Sequence, residues 1–122
     1  MVQISKRKLS RKQEEEIKDK LAQLIADLPS KEKAQLFLQD FLTETEYTSL
    51  AKRLAIIYYL ASDKSYEEIK RDVKVSSATI ASMQNLLENK SSGIYVALKF
   101  LKADEWAQKW SQKLSGFFGS EK

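Results

Sequence analysis

Two short segments of this chain leave the backbone little choice. Thr43-Glu44-Thr45-Glu46 and Ser65-Tyr66-Glu67-Glu68 each place a hydroxyl three residues ahead of a carboxylate. At that spacing the hydroxyl accepts from the third helical N–H and the carboxylate accepts from the N–H of the capping residue, an arrangement that closes only at a helix start. Between the two lies Leu54–Ser62 (LAIIYYLAS), without a charge. A membrane-spanning helix needs about 20 apolar residues, so this run predicts a buried helix instead. The helix is expected over Glu44–Ala61, with Tyr47, Leu50, Leu54, Ile57 and Tyr58 along one face and Ala51, Ile56 and Leu60 widening it. A helix apolar on most sides is central in a core or covered by a second subunit.

The remainder is also helical in pattern. Ile17, Leu21, Leu24, Ile25 and Leu28 form a stripe at helical spacing from Gln13 onward, and Pro29 ends it. Ser30 caps a second helix, with Lys33 where a full box would carry Glu, and Leu36, Phe37, Phe41 and Leu42 form its apolar face. The Ser65 box opens a short helix to about Asp72. Val73-Lys74-Val75 breaks it, and Ser76 or Ser77 caps the next helix, to about Asn89. Ser91-Ser92-Gly93 is a linker, and Ile94–Ala103 and Asp104–Phe118 are two helices or one bent helix. With three Gly and one Pro in 122 residues, and no alternating pattern, the expected fold is all-α with five to seven helices. The expected organisation is an arm over 1–12, a helical domain over 13–93 and a helical extension over 94–122.

The chain has no Cys and no His, which removes disulfides, thiolate zinc sites, cysteine nucleophiles and imidazole bases. Glu14-Glu15-Glu16 point in different directions on a helix and cannot converge on one centre. No enzyme, cofactor or metal is therefore expected. The net charge is +4, of which Lys6, Arg7, Lys8, Arg11 and Lys12 supply +5 within the first twelve residues, leaving −1 on the rest. Such an arm follows a nucleic-acid backbone or is a solvated tail. No apolar stretch follows it as in an export signal, so a cytoplasmic protein without a membrane span is expected. Trp106, Trp110, Leu114, Phe117 and Phe118 form an aromatic stripe near the C-terminus. It suits either a helix covering the core or a partner subunit, or a surface-binding amphipathic helix.

Residues 65–88 combine a short capped helix, a three-residue connection and a second capped helix, the layout of a helix-turn-helix. Ile69 and Val73 are placed to pack on Ile80 and Leu87, with Val75 in the corner. Ser76, Ser77, Ala78, Thr79 and Ser82 then face base edges and phosphates, and Met83 adds an apolar contact one turn on. Lys70, Arg71 and Lys74 are the head's cations for the DNA backbone, with Lys6, Arg7, Lys8, Arg11 and Lys12 as an accessory arm. The alternative is a structural helical hairpin in a protein- or membrane-surface interaction module.

Residues 41–80 resemble the Trp repressor superfamily, nearest its TrpR-like (YerC/YecD) branch of regulators. The resemblance lies in Phe41-Leu42-Thr43 with Glu46, in Leu50-Ala51-Lys52-Arg53-Leu54-Ala55-Ile56, in Ser65-Tyr66-Glu67-Glu68-Ile69, and in Val75-Ser76 with Ala78-Thr79-Ile80. It implies an intertwined all-helical homodimer that binds double-stranded DNA through two helix-turn-helix heads and regulates transcription. The family's tryptophan ligand is held by two arginines, and those positions align with Ala55 and Ser82. Neither forms a charged hydrogen bond to a carboxylate, so no tryptophan corepressor is expected. Lys74 stands where such turns often carry Gly, and a positive φ there would be strained. Residues 65–90 carry four basic and four acidic side chains, so the head has no net charge of its own. The arm or dimerisation is then expected to supply part of any DNA affinity.

Overall fold

The computed structural model describes residues 8–90 and 92–101. These form six helices and, among the described residues, no strand: α1 (Arg11–Asp27), α2 (Lys31–Phe41), α3 (Glu44–Ala61), α4 (Tyr66–Val73), α5 (Ser77–Glu88) and α6 (Gly93–Leu101). The expected all-α class is what forms. Two compact units divide between Thr48 and Ser49.

Serine and threonine caps start the helices. In both expected boxes the bonds close in both directions: Thr43 Oγ1 accepts from Glu46 N at 3.1 Å and Glu46 Oε1 from Thr43 N at 2.8 Å. Ser65 Oγ and Glu68 Oε1 do the same at 3.1 and 3.0 Å. The Ser30 cap is one-sided as expected, its Oγ accepting from Lys33 N. The start of α1 differs from expectation. α1 begins at Arg11 rather than Gln13, because Ser10 and Gln13 form a third full capping box. Arg11 and Lys12 therefore belong to the first turn of α1 and not to an arm. α1 stops at Asp27, and Leu28, forced out of the helical region by Pro29, is extended at φ −61° and ψ 124°.

In the first unit no residue of α1 or α2 is buried. Ile17, Leu21, Leu24 and Ile25 on α1 and Leu36 and Phe41 on α2 are all exposed, and Phe37 and Phe41 stack on one another with ring centroids 4.8 Å apart.

The core lies in the second unit. Ala55, Ile56, Ile57 and Tyr59 of α3, Ile69 and Val73 of α4, Ile80 and Met83 of α5 and Leu98 of α6 form one buried cluster. Ile56, Ile69 and Ile80 are wholly enclosed, one from each of three helices. Each such side chain contributes about 1.5–3 kcal/mol by leaving water. Leu50, expected on the apolar face of α3, is exposed, and the fully buried residues of α3 run from Ala55 to Tyr59. Ser92 Oγ donates to the Leu86 carbonyl and accepts from Tyr95 N, joining the end of α5 to the start of α6. α6 begins one residue earlier than expected, at Gly93. Asp104–Phe118, with the aromatic stripe from Trp106 to Phe118, lies outside the described residues.

Candidate nucleic-acid interface

α4 and α5 form the helix-turn-helix, joined by Lys74, Val75 and Ser76. Ile69 and Val73 are buried with Ile80, and Val75 and Leu87 pack against the same cluster. Val75 fills the corner as its spacing predicts. The two helices are thus fixed to α3 by apolar contacts on their inner sides, which leaves their outer sides to solvent.

Backbone geometry makes the corner sharp. Lys74 adopts the left-handed conformation, φ 62° and ψ 59°, and its N–H donates to the Lys70 carbonyl. A side chain at this position is strained by roughly 1–2 kcal/mol relative to the right-handed region. Ser76, rather than Ser77, is the cap of α5: its Oγ accepts from Thr79 N at 3.2 Å.

Ser76, Ser77, Ala78 and Ser82 are all exposed around the N-terminal turns of α5. Thr79 is half-buried, and its hydroxyl lies 3.0 Å from Ser76 Oγ. That hydroxyl belongs partly to the cap. Met83 does not fit its expected role: it is 6% exposed and packs in the core. Three residues beyond Ile80, it shares the inner face of α5 and is not offered to a groove. The outward stripe runs instead through Ala78, Ala81, Ser82 and Asn85, all exposed. Ala81 and Asn85 had a signal in the sequence, since they follow Ala78 by three and seven residues.

Lys70, Arg71 and Lys74 are exposed near the end of α4. Lys8, Arg11 and Lys12 are exposed in the first unit; Lys6 and Arg7 lie outside the described residues. Arg71 is anchored, its Nε donating to Asp72 Oδ1 at 2.9 Å. Asp72 is the buried acid of the core, and its other oxygen accepts from the buried Tyr59 hydroxyl at 3.0 Å. Asp72 raises the Arg71 pKa through that bond and its charge. Burial, then the bond to Asp72, raises the Tyr59 pKa. The Ser65 backbone N–H, then its hydroxyl, lowers that of Glu68. Sequence spacing did not reveal the Tyr59–Asp72 pair, thirteen residues apart. Tyr66 also reaches across the motif, its hydroxyl donating to Gln84 Oε1 on α5.

Ala55, expected to mark a ligand-facing position, is 4% exposed and inside the apolar core. The exposed cation on that stretch of α3 is Arg53. Ser82 is exposed on α5 as expected. Among the described residues no group of acidic side chains is gathered to hold a metal ion, and no helix is long and apolar enough to cross a membrane.

Comparison with curated proteins and with solved structures gave no match. The family model described as Trp repressor protein matches residues 16–102, which span α2 to α6 entirely and most of α1. That family consists of regulatory helix-turn-helix proteins that bind DNA rather than enzymes. With most of its length matched and the helix-turn-helix formed within the matched span, the chain belongs to the Trp repressor protein family.

Proposed function

We propose that this protein is a sequence-specific transcriptional regulator that acts in the cytoplasm as a homodimer, each subunit inserting α5 into the major groove of double-stranded DNA. The observation that carries this reading is the division of α5 into two sides. Ile80 and Met83 anchor it in the core, while Ser76, Ser77, Ala78, Ser82 and Asn85 stand exposed along its outer side. Serine hydroxyls and an asparagine amide suit phosphate oxygens and base edges, and alanine suits a thymine methyl. Lys70, Arg71 and Lys74 flank this helix and supply charge toward the backbone.

Homodimerisation accounts for the apolar residues that the single chain leaves open. Ile17, Leu21, Leu24, Ile25, Leu36, Phe41 and Leu50 are too many large exposed hydrophobics, at helical spacing, for a stable solvent-facing surface. A second copy would cover them and set two recognition helices at half-site spacing. The protein acts without tryptophan, because Ser82 gives no charged partner for a carboxylate.

Selection from random duplex DNA at low salt, followed by a salt titration on the selected sequence, tests the reading. The expected result is a two-fold symmetric or near-symmetric site. Absence of any duplex binding at low salt would instead favour a protein-interaction module, for which the exposed faces of α1 and α2 would be the binding surface.

A further inference from the structure

The helix-turn-helix head is electrically neutral when counted along residues 65–90, but it folds against a cation from elsewhere in the chain. Lys52 of α3 extends to the corner, and its Nζ donates to the Lys74 carbonyl at 3.2 Å. It lies twenty-two residues before that carbonyl in sequence. Among the described residues no carboxylate forms an ion pair with Lys52.

We infer that Lys52 is a phosphate-binding residue of the DNA interface, supplied from outside the helix-turn-helix and held at its corner by the Lys74 carbonyl. The inference rests on the DNA-binding reading above and adds a residue to it.

Three observations support the assignment. An ammonium has three donors, and one carbonyl occupies one of them, so the group retains capacity for an anion. The Lys52 side chain is half-buried, which restrains the stem and lowers the entropy cost when the head is fixed on a phosphate. Finally, two of the head's acids are already engaged: Asp72 is buried against Arg71 and Tyr59, and Glu68 closes the α4 capping box. Lys52 joins Lys70 and Lys74 at the corner, and counting it with residues 65–90 brings the folded head to +1 where the linear count is zero. The carbonyl bond also caps the C-terminal end of α4, where a positive charge is favourable.

The capping and phosphate roles separate experimentally. Full-length Lys52→Met keeps an apolar stem and loses both charge and donors; Lys52→Arg keeps the charge. Duplex affinity is measured across a salt series for the parent and both variants, with thermal unfolding in parallel. For Lys52→Met the log–log salt slope should fall by about 0.9 for each subunit that engages the duplex, and the affinity should drop roughly eight-fold per engaged subunit at 0.1 M salt. Lys52→Arg should retain the parent slope. A lower melting temperature with an unchanged slope would make Lys52 a cap alone and overturn the proposal while leaving the DNA reading intact. Failure of the parent itself to bind duplex DNA would remove the broader reading and this one with it. If Lys52→Met were to unfold, Lys52→Gln, which keeps a donor for the Lys74 carbonyl and loses the charge, gives the same slope test.

Discussion

The bond between Tyr59 and Asp72 should be the most costly single hydrogen bond to remove from the second unit. Both residues are buried, and the phenol donates to a carboxylate oxygen at 3.0 Å. Tyr59→Phe deletes the donor, preserves ring packing and leaves Asp72 with Arg71 as its remaining side-chain partner. Hydrogen bonds to charged groups contribute about 1.5–3 kcal/mol, and a buried acceptor left unpaired costs a similar amount. The expected loss is therefore about 2 kcal/mol, a large share of the roughly 5–15 kcal/mol that keeps a domain folded. In a domain of this size that corresponds to a fall in melting temperature of roughly 8 °C. Urea unfolding followed by circular dichroism, at one fixed chain concentration so that any association contributes equally, gives the value directly. Asp72→Leu with Tyr59→Phe closes a double-mutant cycle. The double variant should be destabilised by clearly less than the sum of the singles, because it no longer buries an unpaired carboxylate.

Alkaline pH gives the same bond a second signature. Burial, followed by the hydrogen bond to Asp72, holds the Tyr59 phenol above its ordinary value of 10.0. Folding thus favours the neutral phenol, and that contribution is fully present below pH 10 and is lost as pH rises toward the folded-state value. The parent should lose stability above pH 10 in a way that Tyr59→Phe does not, so the gap between them narrows there. A Tyr59→Phe variant within about 0.5 kcal/mol of the parent at pH 7, with additive cycle energies, would refute this account of the core.

Four further outcomes are expected. Light scattering at micromolar concentration should give about twice the 14.0 kDa chain mass, and a mass that stays monomeric at every concentration would contradict the homodimer. Deleting residues 1–9, which preserves the Ser10 cap of α1, should weaken binding to all duplexes and flatten the salt dependence by about 0.9 for each phosphate that is no longer neutralised; unchanged affinity and slope would make this segment a tail. Glu68→Gln should show a smaller loss of stability on acidification than the parent. The parent's Glu68, lowered below 4.5 by the Ser65 bonds, contributes stability above that value and loses it as pH falls through the folded-state value, and equal pH profiles in urea unfolding would count against it. Calorimetry with L-tryptophan should show no saturable heat, whereas micromolar binding would point to Arg53 and not Ala55 as the relevant position on α3.

What the sequence made legible is what depends on residues three or four apart. The Thr43 and Ser65 boxes, the break at Pro29, the Val75 corner and the α3 bounds all follow from local hydrogen bonding and local steric limits. Even the missed start of α1 was local: Ser10-Arg11-Lys12-Gln13 is a box in which Gln13 takes the place of glutamate, hidden by the density of positive charge around it. Met83 was misplaced for a related reason. Its signal was local all the same: three residues beyond the inward-facing Ile80, it shares that face of α5.

Electrostatics are less legible because charge is counted along the chain but acts through space. The linear count makes the helix-turn-helix neutral and assigns the positive charge to the first twelve residues. Folding changes both halves of that description. Arg11 and Lys12 join a helix, Asp72 is taken into the core, Glu68 becomes a cap, and Lys52 arrives at the corner from α3. None of these events alters the formal total of +4, yet within the second unit Lys52 adds to the head a positive charge that residues 65–90 do not carry. Phosphates interact with the exposed charge within a Debye length of about 10 Å and are largely screened from charges beyond it. On the proposed reading, the local arrangement around Lys74, rather than the net charge of residues 65–90, therefore sets the head's own share of the salt dependence when a duplex docks on α5.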